Sequence, residues 1–143
     1  MTVVFIPKEA HEDETRVAGS PETVKSLAKA GLEVQVQKDA GLLSGFTDEA
    51  YKDAGAQIVT DARQARSNAD LVLGIRPPTD AEVEDLQKGT VLVCGLQPLL
   101  QLELVETLAK KGVDVFAMDL MPRITRAQKM DILSSQATAG GYQ

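Results

Sequence analysis

Apolar runs of strand length recur along this chain, and a helical pattern separates most of them from the next. Val3 to Ile6 is the first, closed by Pro7. Leu32, Val34 and Val36 alternate as a second, and Gln57 to Val59 is a short third. Asp70 to Ile75, Val91 to Val93 and Val113 to Ala117 follow. Leu71, Val72, Leu73 and Ile75 form a nearly continuous apolar run, which a strand needs when both faces of its sheet are covered. Ser20-Pro21 supplies a cap and a proline at the first helical position, and Gly31 ends that helix after Val24, Leu27 and Ala28 have shared one face. Phe46 and Thr47 read as staple and cap of a short helix through Ala54. Asp61 to Ser67 reads as helical. Thr79 with Glu82 caps the next helix, and Gly112 closes another that runs through Leu104, Val105 and Leu108. Strand alternating with helix predicts the α/β class: a doubly wound parallel sheet, flavodoxin-like or Rossmann-like, of about five strands with their order left open.

A chain of 143 residues buries one ordinary core, so residues 1–143 are expected to form a single lobe. Hydrophobic residues make up 43% and charged ones 25%, a globular balance rather than a disordered one. The net charge of −6, with Lys and Arg scattered, argues against nucleic-acid binding and against docking on an anionic membrane surface. No apolar run reaches bilayer-spanning length, and no basic segment followed by an apolar one suggests a secretory signal. Cys94 is the single cysteine, so it is expected to be a buried small hydrophobe in a reducing cytoplasm. His11, the single histidine, sits in the polar run His11-Glu12-Asp13-Glu14 and reads as a loop residue; no standard zinc site is expected. The glycine-rich stretch Ala40 to Gly45 lacks both the dinucleotide fingerprint and the ending of a phosphate loop, so it reads as a turn.

In parallel sheets ligands sit outside the carboxyl ends of the strands. Arg76, Gln97 and Arg123 each fall just after such an end. Beyond Pro122, Thr125 and Gln128 have the spacing of a capping box. On the helix they would open, Met130, Leu133 and Ala137 share one face, while Gln128, Asp131 and Ser135 lie opposite with Ser134 at the edge. An arginine, an amide, a carboxylate and hydroxyls suit a polar ligand held by hydrogen bonds. The same spacing fits a plain cap and a solvated helix face, and spacing alone favours that plainer reading. Arg16, by spacing alone, is a surface arginine.

The stretch Met118 to Ser135 resembles, almost without a break, a run of the NAD(H)-binding component (domain I, alpha subunit) of proton-translocating NAD(P) transhydrogenase. That run reads Met-Asp-x-x-Pro-Arg-Ile-x-Arg-Ala-Gln-x-Met-Asp-x-Leu-Ser-Ser. Ile6-Pro7-Lys8-Glu9, Glu14-Thr15-Arg16-Val17-Ala18, Ala40-Gly41 and Gly45-Phe46 carry the likeness to the N-terminus, although alanine dehydrogenases share those shorter motifs. The resemblance thus covers the whole chain, as the N-terminal lobe of this alanine dehydrogenase/transhydrogenase family.

The resemblance implies hydride transfer between NAD(H) in this component and NADP(H) on a partner component. It implies Arg123, Gln128, Asp131 and Ser134 as cofactor-binding residues, with Gln128 and Asp131 closest to catalysis, and Arg16 facing the cleft between two lobes. Ser135 is a geometric alternative to Ser134. It implies as partners a second NAD-binding lobe, an NADP-binding component and a membrane subunit, with a homodimer in the complete component. The location implied is cytoplasmic and peripheral to the inner membrane through partner subunits, with no direct insertion. Alanine dehydrogenase, which moves a proton as well as a hydride, uses a histidine near the position of Gln97 and a lysine near Arg76. Here that histidine is absent and Arg76 stays protonated, which favours transhydrogenase. The second lobe's dinucleotide fingerprint has no counterpart in this sequence, so the chain is expected to be the first lobe only. By itself it should bind NADH weakly and transfer no hydride. Gly140-Gly141 departs from the family's single glycine before tyrosine. The rivals are an amino-acid dehydrogenase of the alanine dehydrogenase type and a non-catalytic interaction module.

Overall fold

Val3–Ile6 forms β1, and the rest of the sheet is laid out from it. The computed structural model describes residues 2–96 and 101–117. The other strands are β2 (Glu33–Gln37), β3 (Gln57–Val59), β4 (Leu71–Leu73), β5 (Val91–Cys94) and β6 (Asp114–Ala117). The helices are α1 (Pro21–Lys29), α2 (Asp48–Asp53), α3 (Ala62–Asn68), α4 (Asp80–Asp85) and α5 (Leu102–Lys111). The strands run in the order β3-β2-β1-β4-β5-β6, and every neighbouring pair is parallel. This is the Rossmann order rather than the flavodoxin one. The sheet has six strands instead of about five, the three-residue β3 completing one edge.

The chain moves from β1 outward through β2 to β3, then returns past β1 to β4 and continues the other way. Right-handed crossovers therefore place α1 and α2 on one face and α3, α4 and α5 on the other. The packing agrees. Val4 and Ile6 of β1 pack with Val24 and Leu27 of α1 and Tyr51 of α2. Phe5, between them in sequence, packs on the opposite face with Ala65 of α3, Val83 of α4 and Leu108 of α5. The two faces explain why the runs through β4 and β5 are continuously apolar, while β2 alternates Val34 and Val36 with glutamines. Cys94 is wholly buried in the second of these cores, as expected.

The helix ends follow the sequence signals. Ser20 accepts from the Thr23 amide with Pro21 next in line, and Thr47 caps α2. Thr79 and Glu82 close a full capping box on α4. Gly112 ends α5 at φ +76°, a left-handed conformation that other residues adopt at a cost. No described helix is long and apolar enough to cross a membrane.

Candidate functional site

The strand order reverses between β1 and β4, so the loops that leave their carboxyl ends diverge and open a crevice there. The β1–α1 loop, residues 7–20, crosses this end of the sheet and is tied down by two carboxylates. Glu9 receives the backbone N–H groups of Ile75 and Arg76 at 3.2 and 3.1 Å. Burial pushes the Glu9 carboxyl above the usual carboxylate range, opposed by those two backbone hydrogen bonds. Behind them β4 and β5 close together: Gly95 donates its N–H to the carbonyl of Ile75 at 3.0 Å. A Cβ on Gly95 would stand 2.9 Å from that oxygen, so only glycine fits without a shift.

Glu14 is the second tie. Its side chain is only 4% exposed, and it accepts four hydrogen bonds. Three come from Arg16: the backbone N–H at 3.1 Å, Nε at 2.9 Å and Nη2 at 2.8 Å. The fourth comes from Arg76 Nε at 3.0 Å. The Arg16 guanidinium is the main cause that holds the Glu14 carboxyl at about 2, against the desolvation that would raise it. The same pairing raises Arg16 above its ordinary value. Arg76 is thus fixed at its backbone by Glu9 and at its side chain by Glu14, with Asp13 3.7 Å from Nη2. Among Glu9, Glu14, Arg16 and Arg76 the formal charges cancel, and Asp13 adds one negative charge at an exposed position, so the cluster behind the wall is polar but close to neutral.

Arg16 and Arg76, held in place by these carboxylates, line an open cleft of about 660 Å³ together with His11, the Pro77-Pro78 turn and Gln101. That volume lies within the roughly 300–1,000 Å³ typical of small-molecule sites. Thr79 brings the start of α4 to the cleft. The capping box takes the Thr79 and Glu82 amides, and Asp80 and Glu82 occupy the first turn. The acidic first turn opposes a phosphate there. The cleft can therefore seat an uncharged, hydrogen-bonding ligand end. The described residues gather no group of three potential metal ligands among His, Cys, Asp and Glu.

Of the residues singled out in the sequence, Arg16 and Arg76 both reach the cleft. Arg76 falls just past the end of β4. Arg123, Gln128, Asp131 and Ser134 lie outside the described residues, as do Gln97, Thr125 and Ser135. The structure adds three residues that the sequence reading did not place. Glu9 and Glu14 shape the wall through partners more than sixty positions away. His11, read as a loop residue, does lie in the loop but lines the cleft, with its Nε2 shielded from solvent. The one available signal was the charge density of the loop from Lys8 to Arg16 in a chain whose strands are otherwise apolar.

Comparison with known proteins agrees with this fold. A family described as alanine dehydrogenase/PNT, N-terminal domain, matches residues 5–139. An NAD(P) transhydrogenase alpha-subunit protein of Rhodospirillum rubrum is 46% identical over 145 residues, covering 98% of this chain and 38% of that protein. Alanine dehydrogenase of Bacillus subtilis is 33% identical over 139 residues, covering 97% of this chain and 36% of that protein. The crystal structure of a transhydrogenase from Sinorhizobium meliloti superposes with a TM-score of 0.85 at 44% identity, over 98% of this chain and 42% of that one. The chain therefore spans little more than a third of the length of these two curated relatives.

Proposed function

The chain belongs to the family of alanine dehydrogenase/PNT N-terminal domains, and from that membership we propose that it is the nicotinamide-side lobe of an NAD(H)-binding transhydrogenase component. In the complete assembly hydride passes between NAD(H) here and NADP(H) on a partner component, coupled to proton movement through a membrane subunit. A second lobe supplies the pyrophosphate site. The carrying observation is the 46% identity to a transhydrogenase alpha subunit across 98% of the chain, against 33% to an alanine dehydrogenase.

The geometry supports this reading. The nicotinamide supplies the hydride chemistry; the protein's role is placement of ring, carboxamide and ribose. A near-neutral wall with both arginines already paired suits placement better than acid–base work. Arg76 cannot act as a base. In this proposal Arg123, Gln128, Asp131 and Ser134 hold the nicotinamide and its ribose. Asp131, acceptor-only when ionised, receives a ribose hydroxyl or a carboxamide N–H. Gln128, which can donate and accept, keeps its bonds as the ring moves.

The test is made in the complete two-lobed protein with its partners. Asp131→Asn and Gln128→Asn should each lower hydride-transfer rates about tenfold or more, on the order of 1.4 kcal/mol, with little change in melting temperature. Thr125→Ala, which on the spacing of Thr125 and Gln128 would remove a helix cap, should instead lower stability by about 1 kcal/mol. If the first two variants lower only the melting temperature, the functional reading of that stretch is wrong.

One observation favours a second reading. An amino-acid dehydrogenase of the alanine dehydrogenase type needs a proton acceptor, and His11 stands on the cleft wall. Alanine turnover by the two-lobed protein, lost in His11→Gln, would select that reading. Failure of the two-lobed protein to bind NADH would select a non-catalytic module.

A further inference from the structure

Beneath the cleft, between the β1–α1 loop and α4, lies a small chamber of about 20 Å³. His11 belongs to its wall as well as to the cleft's. Its Nε2 is sealed from bulk solvent and has no hydrogen-bond partner among the described residues. A buried ring nitrogen left without a partner is costly, and native proteins satisfy nearly all such atoms. The polar groups facing the same chamber are Glu9, Glu82, Arg66 and Arg76. Each already holds at least one other bond: Glu9 to the Ile75 and Arg76 amides, Glu82 to Thr79 and Arg66. Their carboxylate oxygens nevertheless keep lone pairs to offer.

We propose that this chamber holds a single buried water molecule that joins His11 Nε2 to the carboxylates of Glu9 and Glu82. The size fits, since a cavity that holds one water needs at least roughly 10–15 Å³. The chemistry fits as well. A carboxylate can only accept and a guanidinium can only donate, so each would suit one tautomer of His11 alone. Water serves either: it accepts from an Nε2–H and donates one hydrogen to each carboxylate, or donates to a bare Nε2 and gives its remaining hydrogen to one of the two. A cation in the chamber would face Arg66 and Arg76, and an anion would face Glu9 and Glu82, so a neutral occupant is favoured. The water ties the cleft loop to α4, and through Glu82 to Arg66 on α3. It is therefore part of what holds the cleft wall in place, independently of which ligand the cleft takes.

A crystal structure of the 143-residue chain, at a resolution that shows ordered solvent, tests this directly. One water within hydrogen-bonding distance of His11 Nε2 and of Glu9 or Glu82 is expected. A direct bond from Nε2 to a protein group, or a chamber without solvent density, would overturn the assignment. In solution, deuteron relaxation dispersion counts long-lived internal waters. His11→Phe, whose ring reaches further into the chamber, should lower that count by one relative to the parent chain. An unchanged count in a folded variant would equally overturn it, and if His11→Phe does not fold the crystal result decides.

Discussion

Glu14→Gln should destabilise this chain at neutral pH and leave it almost unchanged near pH 2. The substitution keeps the shape of the side chain but replaces one acceptor oxygen with a donor, among four donors that all aim at it. The magnitude follows from the carboxyl's position at about 2 instead of the ordinary 4.5. At about 1.36 kcal/mol per pH unit, that difference corresponds to roughly 3 kcal/mol of preference for the ionised form in the folded state. Both guanidiniums are partly solvated, with side chains 48% and 38% exposed, so screening reduces the effect. A loss of about 2 kcal/mol remains. For a chain of this size that is a fall in melting temperature of about 6–10 °C.

The sign follows from the direction of the shift. Glu14 is depressed in the folded state, so its contribution is fully present above the unfolded value near 4.5 and disappears as the pH falls towards 2. Glu9 works the other way: its carboxyl is raised, so the chain gains stability from it as the pH falls through the raised value. Glu14 is the least of the causes of the Glu9 shift, so comparing parent and variant at each pH removes most of the Glu9 contribution and leaves chiefly that of Glu14. Urea denaturation of both, from neutral pH down to pH 2, is the measurement. A gap that persists undiminished at the acid end would mean that packing, not charge, is what Glu14 supplies. No gap at neutral pH would mean that the pairing with Arg16 and Arg76 is not formed in solution.

Arg66→Ala should be more severe, by roughly 3–5 kcal/mol in urea, because it strands the buried Asp85 with only the exposed Arg63 as partner. Adding Asp85→Ala to it should restore some of the loss; no recovery would show that Arg66 matters through its contact with Phe5 instead. Gly95→Ala should cost about 1–3 kcal/mol, because its Cβ meets the Ile75 carbonyl and must push β4 away from β5 at the cleft. Faster hydrogen exchange at the Gly95 amide would report that separation.

The elements were legible because their signals are local. Ser20-Pro21, Thr47 and the Thr79–Glu82 pair cap helices through bonds that span three residues, and each appears where its spacing puts it. The apolar runs of β4 and β5 announce burial on two faces. Periodicity says that a strand is buried but not which strand lies beside it, so the order through β1 and β4 could not be read. The cleft wall depends on that order. Glu9 meets Ile75 across 66 positions and Glu14 meets Arg76 across 62, contacts that exist only because β1 and β4 are neighbours. For the same reason His11 looked like one more residue of a charged loop. Tyr51 is a milder case: its hydroxyl bonds the Gly19 carbonyl at 2.7 Å, and its ring fills the space beside Gly41, where the stretch read as a turn forms a single 3₁₀ turn at Leu42–Ser44.

The two sets of site residues should therefore behave differently, and the difference bears on the proposed function. Glu9, Glu14 and Arg76 are bound to one another before any ligand arrives, so the geometry of this wall is fixed by folding. A wall of that kind contributes to transfer by holding its shape, and its removal should appear in stability and rate together. Gln128 and Asp131, in the role proposed for them, make their useful bonds to the nicotinamide and its ribose, so their removal should appear in rate alone. A Glu14→Gln variant that melts early but transfers hydride at the parent rate would detach the wall from the chemistry. It would leave the arginines of the cleft as supports for the loop that carries them.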